Sequence, residues 1–395
     1  MRKLSVKDLD LKGKRVLMRV DFNVPLKEKR VIDDTRIKAA LPTINFVLDK
    51  GASLVLMSHL GRPKGKVVED LRMDPVAKRL EELLGRKVKK LDECVGETVK
   101  REVEKMRPGD IILLENTRFY KEEKANEENF AKKLASFGDI FVNDAFGTAH
   151  RAHASTVGVT KFLPAAAGLL MEKELKILNR ILTQPDSPFI ALLGGAKVSD
   201  KIGVIANLLD KCESILIGGG MAYTFLKAKK IPVGNSLIEE ERIEETKNIM
   251  ERALEKGCSI YLPVDHIIAS EVKEDVETKI VGEDEIPPGF RALDIGPETI
   301  KLFGETIRKA RTIFWNGPMG VFEIRDFAKG TEEIAKILAS SGATTIVGGG
   351  DTIAALERVG LKDKMSYIST GGGASLKFLE GEKLPGVEAL SEKRE

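Results

Sequence analysis

The sequence is poor in cysteine, in aromatic residues and in any excess of charge. Its three cysteines (Cys94, Cys212, Cys258) are odd in number and far apart. They offer neither a disulfide framework nor a metal-ligand spacing and fit a reducing compartment. Lys and Arg number 64 against 61 Asp and Glu, a net charge of +3. That balance gives no global attraction to nucleic acid or a membrane surface, so any anion site must be local. With aromatics at 5% there is no aromatic–basic stripe, which argues against a nucleic-acid partner. The N-terminus lacks an apolar signal-peptide core and no apolar run could span a bilayer, so the expectation is a cytoplasmic protein without a membrane partner. The familiar nucleotide signatures are missing too. Nothing matches GxxxxGK[ST], residues 218–223 fail GxGxxG at the last place, and the protein-kinase motif set is absent.

What the 395 residues do contain is one repeated grammar: a short apolar β-branched run, then glycine or polar residues, then a helical pattern. The runs cover 15–22, 53–60, 110–115, 139–143, 189–193, 214–217, 259–263, 312–315, 344–347 and 365–369. Continuous apolar strands alternating with amphipathic helices predict α/β architecture with parallel sheets covered on both faces. Ten strands exceed one compact sheet of ordinary size, and the length agrees with two domains. The expected joint is a helix over 165–182, where Leu169, Leu170, Lys173, Ile177 and Leu178 show helical spacing and Pro164 and Pro185 bracket the segment. It is not rich in Gly and Ser, so it does not read as a flexible linker.

Ligands of open parallel sheets bind outside the carboxyl ends of the strands, and polar residues cluster there. In the first half, Asp21 and Asn23, His59 and Arg62, Arg118, and Arg151 each follow an apolar run, and Arg36 comes soon after the first. Arginine presents a planar fork suited to phosphate and carboxylate. Several converging on one cleft imply a small ligand with more than one negative charge, whose hydroxyl Asp21 and Asn23 would meet. A turn before Pro25 explains Asp21 and Asn23 equally well. His59 reads as either packing or ligand contact. His150 and His153 read as structural, framing Arg151.

In the second half, residues 347–352 run Val-Gly-Gly-Gly-Asp-Thr into a helical pattern. Glycines that open a helix expose backbone N–H groups and the positive dipole end, an anion cradle. Asp351 there could hold Mg²⁺ or act as an N-cap. Lys197 and Lys201 stand four apart after Gly194-Gly195, sharing a face if that segment is helical. Residues 371–375 offer a second glycine-rich helix start. The segment 315–323 holds the one tryptophan and Glu323; it lines a nucleoside pocket or forms a packed corner.

The set RVDFNVP (19–25), SHLGRP (58–63), LLENTRF (113–119), VNDAFGTAHR (142–151), GGAKVSDKI (194–202), GGGMAYTF (218–225), WNGPMGVFE (315–323), GGGDT (348–352) and STGGGAS (369–375) closely resembles the phosphoglycerate kinase family, in the family order and over essentially the whole chain. The resemblance implies two Rossmann-like lobes with parallel sheets flanked by helices. The first would be 1–164 with a returning segment 376–395, the interdomain helix 165–182, and the second lobe 183–375. It implies that Asp21, Asn23, Arg36, His59, Arg62, Arg118 and Arg151 hold 3-phosphoglycerate or 1,3-bisphosphoglycerate. Lys201, Ala292, Asn316, Pro318, Glu323, Gly349, Gly350, Asp351 and Thr352 would hold ADP or ATP, with Asp351 on Mg²⁺. Lys197, Arg36 and the backbone of Gly372 and Gly373 would face the transferring phosphoryl group once the lobes close, with a monomer expected. One departure is Ala292, a methyl where the family's base pocket has bare backbone. Competing readings are a kinase for another small carboxylate and a binding module without turnover.

Overall fold

The computed structural model describes residues 3–393; positions 1, 2, 394 and 395 of the expected first lobe lie outside the described residues. The chain divides into two compact units, one running to Ile177 and resuming at Lys383, the other covering Leu178–Glu382.

The first unit is built on a six-stranded parallel sheet. Its spatial order is Lys89–Lys90, Ile111–Leu113, Ser53–Met57, Arg15–Arg19, Ile140–Asn143 and Ala165–Ala167. The second unit's parallel sheet runs Ser259–Tyr261, Ser214–Ile217, Phe189–Leu193, Thr312–Asn316, Thr344–Gly348 and Tyr367–Ile368. Numbered along the chain, that second order is 3-2-1-4-5-6, the doubly wound arrangement of dinucleotide-binding sheets. Strands Ser53–Met57, Phe189–Leu193 and Thr312–Asn316 are buried at every position. That explains their largely apolar composition, since helices cover both faces.

Every one of the ten expected runs contains a strand. Strand Lys89–Lys90 lies outside those runs, and three further features were not anticipated. An antiparallel sheet of Lys279–Gly282, Asp265–Ala269 and Arg291–Ile295 stands beside the second parallel sheet. Leu26–Lys27 and Arg30–Val31 form a small hairpin. The third is a correction: residues 165–167 are an edge strand paired with 141–143, and the helix begins at Leu169 and ends at Thr183. Alanine favours helices, but a free sheet edge offers Ala165–Ala167 a backbone ladder and Gly168 breaks the path. The new helix is capped from outside its own segment. Thr43 Oγ1 accepts from Leu169 N at 3.1 Å, and Asp144 Oδ1 accepts from Leu170 N at 2.9 Å and Met171 N at 3.3 Å. These satisfy N–H groups that a helix start otherwise leaves unpaired.

The return to the first unit begins later than residue 376. Helix Gly373–Leu379 stays with the second unit, where Asn207 Nδ2 donates to Leu379 O at 2.7 Å. Helix Pro385–Glu388 belongs to the first, with Gly386 N donating to Ala149 O at 2.8 Å and Ser391 N to Ala165 O at 2.9 Å.

Candidate active sites

In the first unit the strand order places a switch point between Arg15–Arg19 and Ile140–Asn143, whose chain continuations diverge. Asp21 follows one strand and Arg151 the loop after the other. Buried tethers join the remaining strand-end loops. Ser58 Oγ accepts from Phe22 N at 2.9 Å. Asn116 Oδ1 accepts from Leu60 N and Arg118 N, both at 3.1 Å, while its Nδ2 donates to Leu60 O at 2.7 Å and Leu71 O at 2.9 Å. The loops that carry His59, Arg62 and Arg118 are thereby held as one body.

Within this frame Asp21, Arg36, His59, Arg118 and Arg151 share one electrostatic neighbourhood. Arg36, in the first turn of helix Thr35–Asp49, pairs with the Asp21 carboxylate. Asn23 Oδ1 accepts from Gly61 N at 2.8 Å. Arg118 is only 5% exposed. Its Nη1 donates to Gly61 O at 2.8 Å, but Nε and Nη2 are buried without a hydrogen-bond partner among the described residues. Burial, then repulsion from Arg151 and Arg19, pushes its pKa down to about 10. Buried donors left unpaired are costly, and a multiply charged anion is the ligand that would relieve both the hydrogen-bond deficit and the repulsion. Arg62 is exposed, with no ion pair to the described residues.

His59 is buried, and desolvation with four nearby arginines holds its pKa well below the usual imidazole range. It is neutral, so its Nδ1, 4.0 Å from Asp21 Oδ1, makes no ion pair there. His150 frames Arg151 as expected, accepting from its Nε at 3.0 Å. His153 does not. It sits 3.8 Å from Glu123 and is neutral, its pKa pushed down to about 3 by burial and then by Arg19.

In the second unit the switch point falls between Phe189–Leu193 and Thr312–Asn316. Here three loops touch backbone to backbone: Gly194 N donates to Asn316 O at 3.0 Å, Gly195 N to Pro318 O and Gly219 N to Met319 O at 2.9 Å. Gly219 has φ +66°, and a Cβ there would stand 2.6 Å from Gly195 N; Gly317 has φ +100° and lies against Gly194. A side chain fits neither.

A cleft of about 630 Å³ opens beside these loops and is lined by Gly220, Tyr223, Ala292, Pro318, Glu323 and Asp351, among others. Helix Gly350–Arg358 starts at its edge, with Gly349 as N-cap and Asp351 in the first turn. Thr352 Oγ1 accepts from Gly317 N at 2.7 Å, tying that helix to the 317–319 loop. Asn316 Nδ2 is buried beside Gly349 with no hydrogen-bond partner among the described residues. Ala292 is buried, its N–H donating to Ser236 Oγ at 3.0 Å.

Lys197 and Lys201 do not share a helical face. Residues Val198–Asp200 form a 3₁₀ turn and the α-helix begins only at Ile202. Lys197 is exposed, whereas Lys201 turns inward and donates to Gly194 O at 2.6 Å. Burial lowers its pKa, opposed by Asp200 and Asp351. Trp315 resolves to the packed-corner reading. It is fully buried in the core, its Nε1 donating to Gly317 O at 2.8 Å. Glu323, on the same segment, does line the cleft.

The family model described as phosphoglycerate kinase matches residues 6–382. A protein of Dictyoglomus turgidum named phosphoglycerate kinase is 58% identical over 391 residues, 99% of this chain and 98% of that one. One of Pelotomaculum thermopropionicum, with the same name, is 57% identical over 393 residues, covering both chains completely. The solved structure of phosphoglycerate kinase from Coxiella burnetii superposes with a TM-score of 0.88 at 44% identity, covering 98% of each chain. This chain belongs to the phosphoglycerate kinase family.

As a phosphoglycerate kinase family member it is a phosphotransferase, and the arrangement above meets what that chemistry asks. Transfer through a metaphosphate-like state needs positioning and charge more than covalent help. Arg19, Ser155, Glu123 and Asn116 shape the first unit's cluster but were not singled out from sequence. The available signal was Arg19, a cation inside an otherwise apolar strand.

Proposed function

We propose that this protein catalyses reversible phosphoryl transfer between 1,3-bisphosphoglycerate and ADP, giving 3-phosphoglycerate and ATP in glycolysis and, reversed, in gluconeogenesis. The observation that carries the glycerate side is Arg118, a buried guanidinium with two donors unused among the described residues, amid Arg36, Arg151 and neutral His59. Asp21, Asn23, Arg36, His59, Arg62, Arg118 and Arg151 then bind the glycerate phosphate. The cleft of the second unit takes the nucleotide. Ala292, Pro318 and Glu323 meet the nucleoside, and Lys201, Asn316, Gly349, Gly350, Asp351 and Thr352 the phosphates.

In the transfer step an oxygen of the ADP β-phosphate attacks the acyl phosphorus, the bond to the carboxyl oxygen breaks, and a carboxylate leaves. No proton need be removed, so no general base is required. Lys197, Arg36 and the N–H groups at Gly372 and Gly373 meet the charge of the group in flight. The test is ADP formation from ATP that depends on 3-phosphoglycerate. An equal rate with unphosphorylated glycerate would instead indicate a kinase for another carboxylate.

Asp351 fits a magnesium ion held with the nucleotide: an exposed carboxylate on the cleft wall, which with phosphate oxygens and waters suffices for Mg²⁺. The ion would neutralise phosphate charge. Asp351→Ala is expected to weaken Mg-ATP about tenfold while changing metal-free ATP little; titrations shifted equally with and without Mg²⁺ would contradict the assignment.

The same reading includes a cytoplasmic monomer and closure of the two units about helix Leu169–Thr183. Donor and acceptor atoms must come within about 3–3.5 Å. Both ligands together are therefore expected to reduce the radius of gyration more than either alone. Small-angle scattering of the apo, binary and ternary states checks this, and an unchanged ternary value rejects closure.

A further inference from the structure

Behind His59 runs a chain of buried polar groups to which the reaction above gives no role. Glu123, Ser155 and Arg19 are 0% exposed and His59 is 3% exposed. They come from four separate places: helix Lys121–Ala125, the loop after His150, the end of strand Arg15–Arg19, and the loop after strand Ser53–Met57.

Both carboxylate oxygens of Glu123 are engaged by Ser155. Oε1 accepts from the hydroxyl at 2.6 Å and Oε2 from the backbone N–H at 2.9 Å. With its one proton committed to Glu123, Ser155 Oγ can only accept, and it does so from Arg19 Nε at 2.8 Å. Arg19 Nη1 donates to Val20 O, and Nη2 stands 3.1 Å from His59 Nδ1. A guanidinium has no acceptor, so Nδ1 must supply the lone pair and the neutral ring carries its proton on Nε2. That nitrogen makes no hydrogen bond to the described residues.

We propose that Glu123 is a positioning residue for the glycerate-side site. It acts through Ser155 and Arg19 to hold His59 as the Nε2–H tautomer, a hydrogen-bond donor ready for an anionic ligand. The proposal rests on the reading of His59 as a ligand contact. Its physical basis is directional. Freed from Glu123, the Ser155 hydroxyl can rotate and Arg19 loses the acceptor that fixes its plane. The imidazole can then place its proton on Nδ1, presenting a lone pair, not a donor, to the anion. Glu123 also supplies counter-charge to a guanidinium with no exposure to water, which Asp21 alone would otherwise balance.

The test uses the full chain and two variants, Glu123→Gln and Ser155→Ala. The second keeps the Glu123 charge and preserves the test should the first fail to fold. Long-range ¹H–¹⁵N spectra of the ligand-free protein report the His59 tautomer directly. In wild type we expect a protonated Nε2 and a bare Nδ1, and in each variant a mixture. KM for 3-phosphoglycerate should rise about tenfold while KM for ATP stays within about twofold. A pure Nε2–H tautomer retained by a folded variant, or an equal rise in both KM values, overturns the proposal. His59→Ala separates the two layers: unchanged KM for 3-phosphoglycerate there refutes the ligand role of His59, whereas the spectra judge the hydrogen-bonded chain alone.

Discussion

Lys197→Ala is expected to lower kcat by roughly 10²–10³-fold while leaving both KM values within about threefold of wild type. The reason lies in how differently the two lysines of this segment are held. Lys201 is buried and committed to Gly194 O, so its charge helps fix the loop whether or not a ligand is present. Lys197 is exposed on extended backbone before a 3₁₀ turn, with no ion pair to the described residues. A cation without an ion pair among the described residues, beside the proposed nucleotide cleft, gains most when negative charge develops near it. Steady-state kinetics in both directions check this. If KM for ATP alone rises, Lys197 clamps the ground-state phosphates and does not act in the transfer.

Arg118→Met should separate binding from stability. KM for 3-phosphoglycerate is expected to rise about 30- to 100-fold, the equivalent of roughly 2–3 kcal/mol for charge-assisted hydrogen bonds left unmade, with KM for ATP unchanged. The melting temperature of the ligand-free protein should not fall. Methionine fills similar volume, and the variant removes a buried cation that repels Arg151 and Arg19 and leaves two donors unpaired among the described residues. The lost bond to Gly61 O works the other way, but the relief of desolvation and repulsion outweighs one neutral-acceptor bond. A clear drop in melting temperature alongside the KM effect would make Arg118 a structural residue whose loss distorts the site. A site assembled at the expense of stability is the usual compromise in enzymes.

Legibility in the sequence follows the range of the interactions involved. Most of the ten strands were readable because burial on both faces forces nearly unbroken apolar runs, a signal confined to neighbouring residues; the edge strands Ser259–Tyr261 and Tyr367–Ile368 are only partly buried. That Asp21, His59, Arg118 and Arg151 would lie near one another was readable because the loops at one end of a parallel sheet converge. What failed depended on partners far along the chain. Ala165–Ala167 reads as helix until the edge of Ile140–Asn143 is known to be free. Lys201 shares a helical face with Lys197 unless the turn tightens to 3₁₀. The strands at 265–295 each carry charged residues, such as Asp265, Lys279 and Asp294, which break the apolar run. Arg19 and Ser155 are 136 positions apart, and Ser155 and Glu123 a further 32. No local pattern could have joined them, although each is as buried as any core leucine.

The contact of three loops at Gly194, Gly219 and Gly317 affects how loss-of-function data on this enzyme should be interpreted. Backbone there meets backbone with no space for a β-carbon, and two of the three positions also need left-handed torsion angles. Any replacement must push apart strands Phe189–Leu193, Ser214–Ile217 and Thr312–Asn316, and with them the floor of the cleft. In a saturation scan these positions would rank with the most sensitive in the protein, yet such sensitivity would carry no information about chemistry. Inactive alleles at 194, 219 or 317 report a steric constraint of the scaffold. They should be set aside before sensitivity to substitution is used to rank residues by their part in phosphoryl transfer.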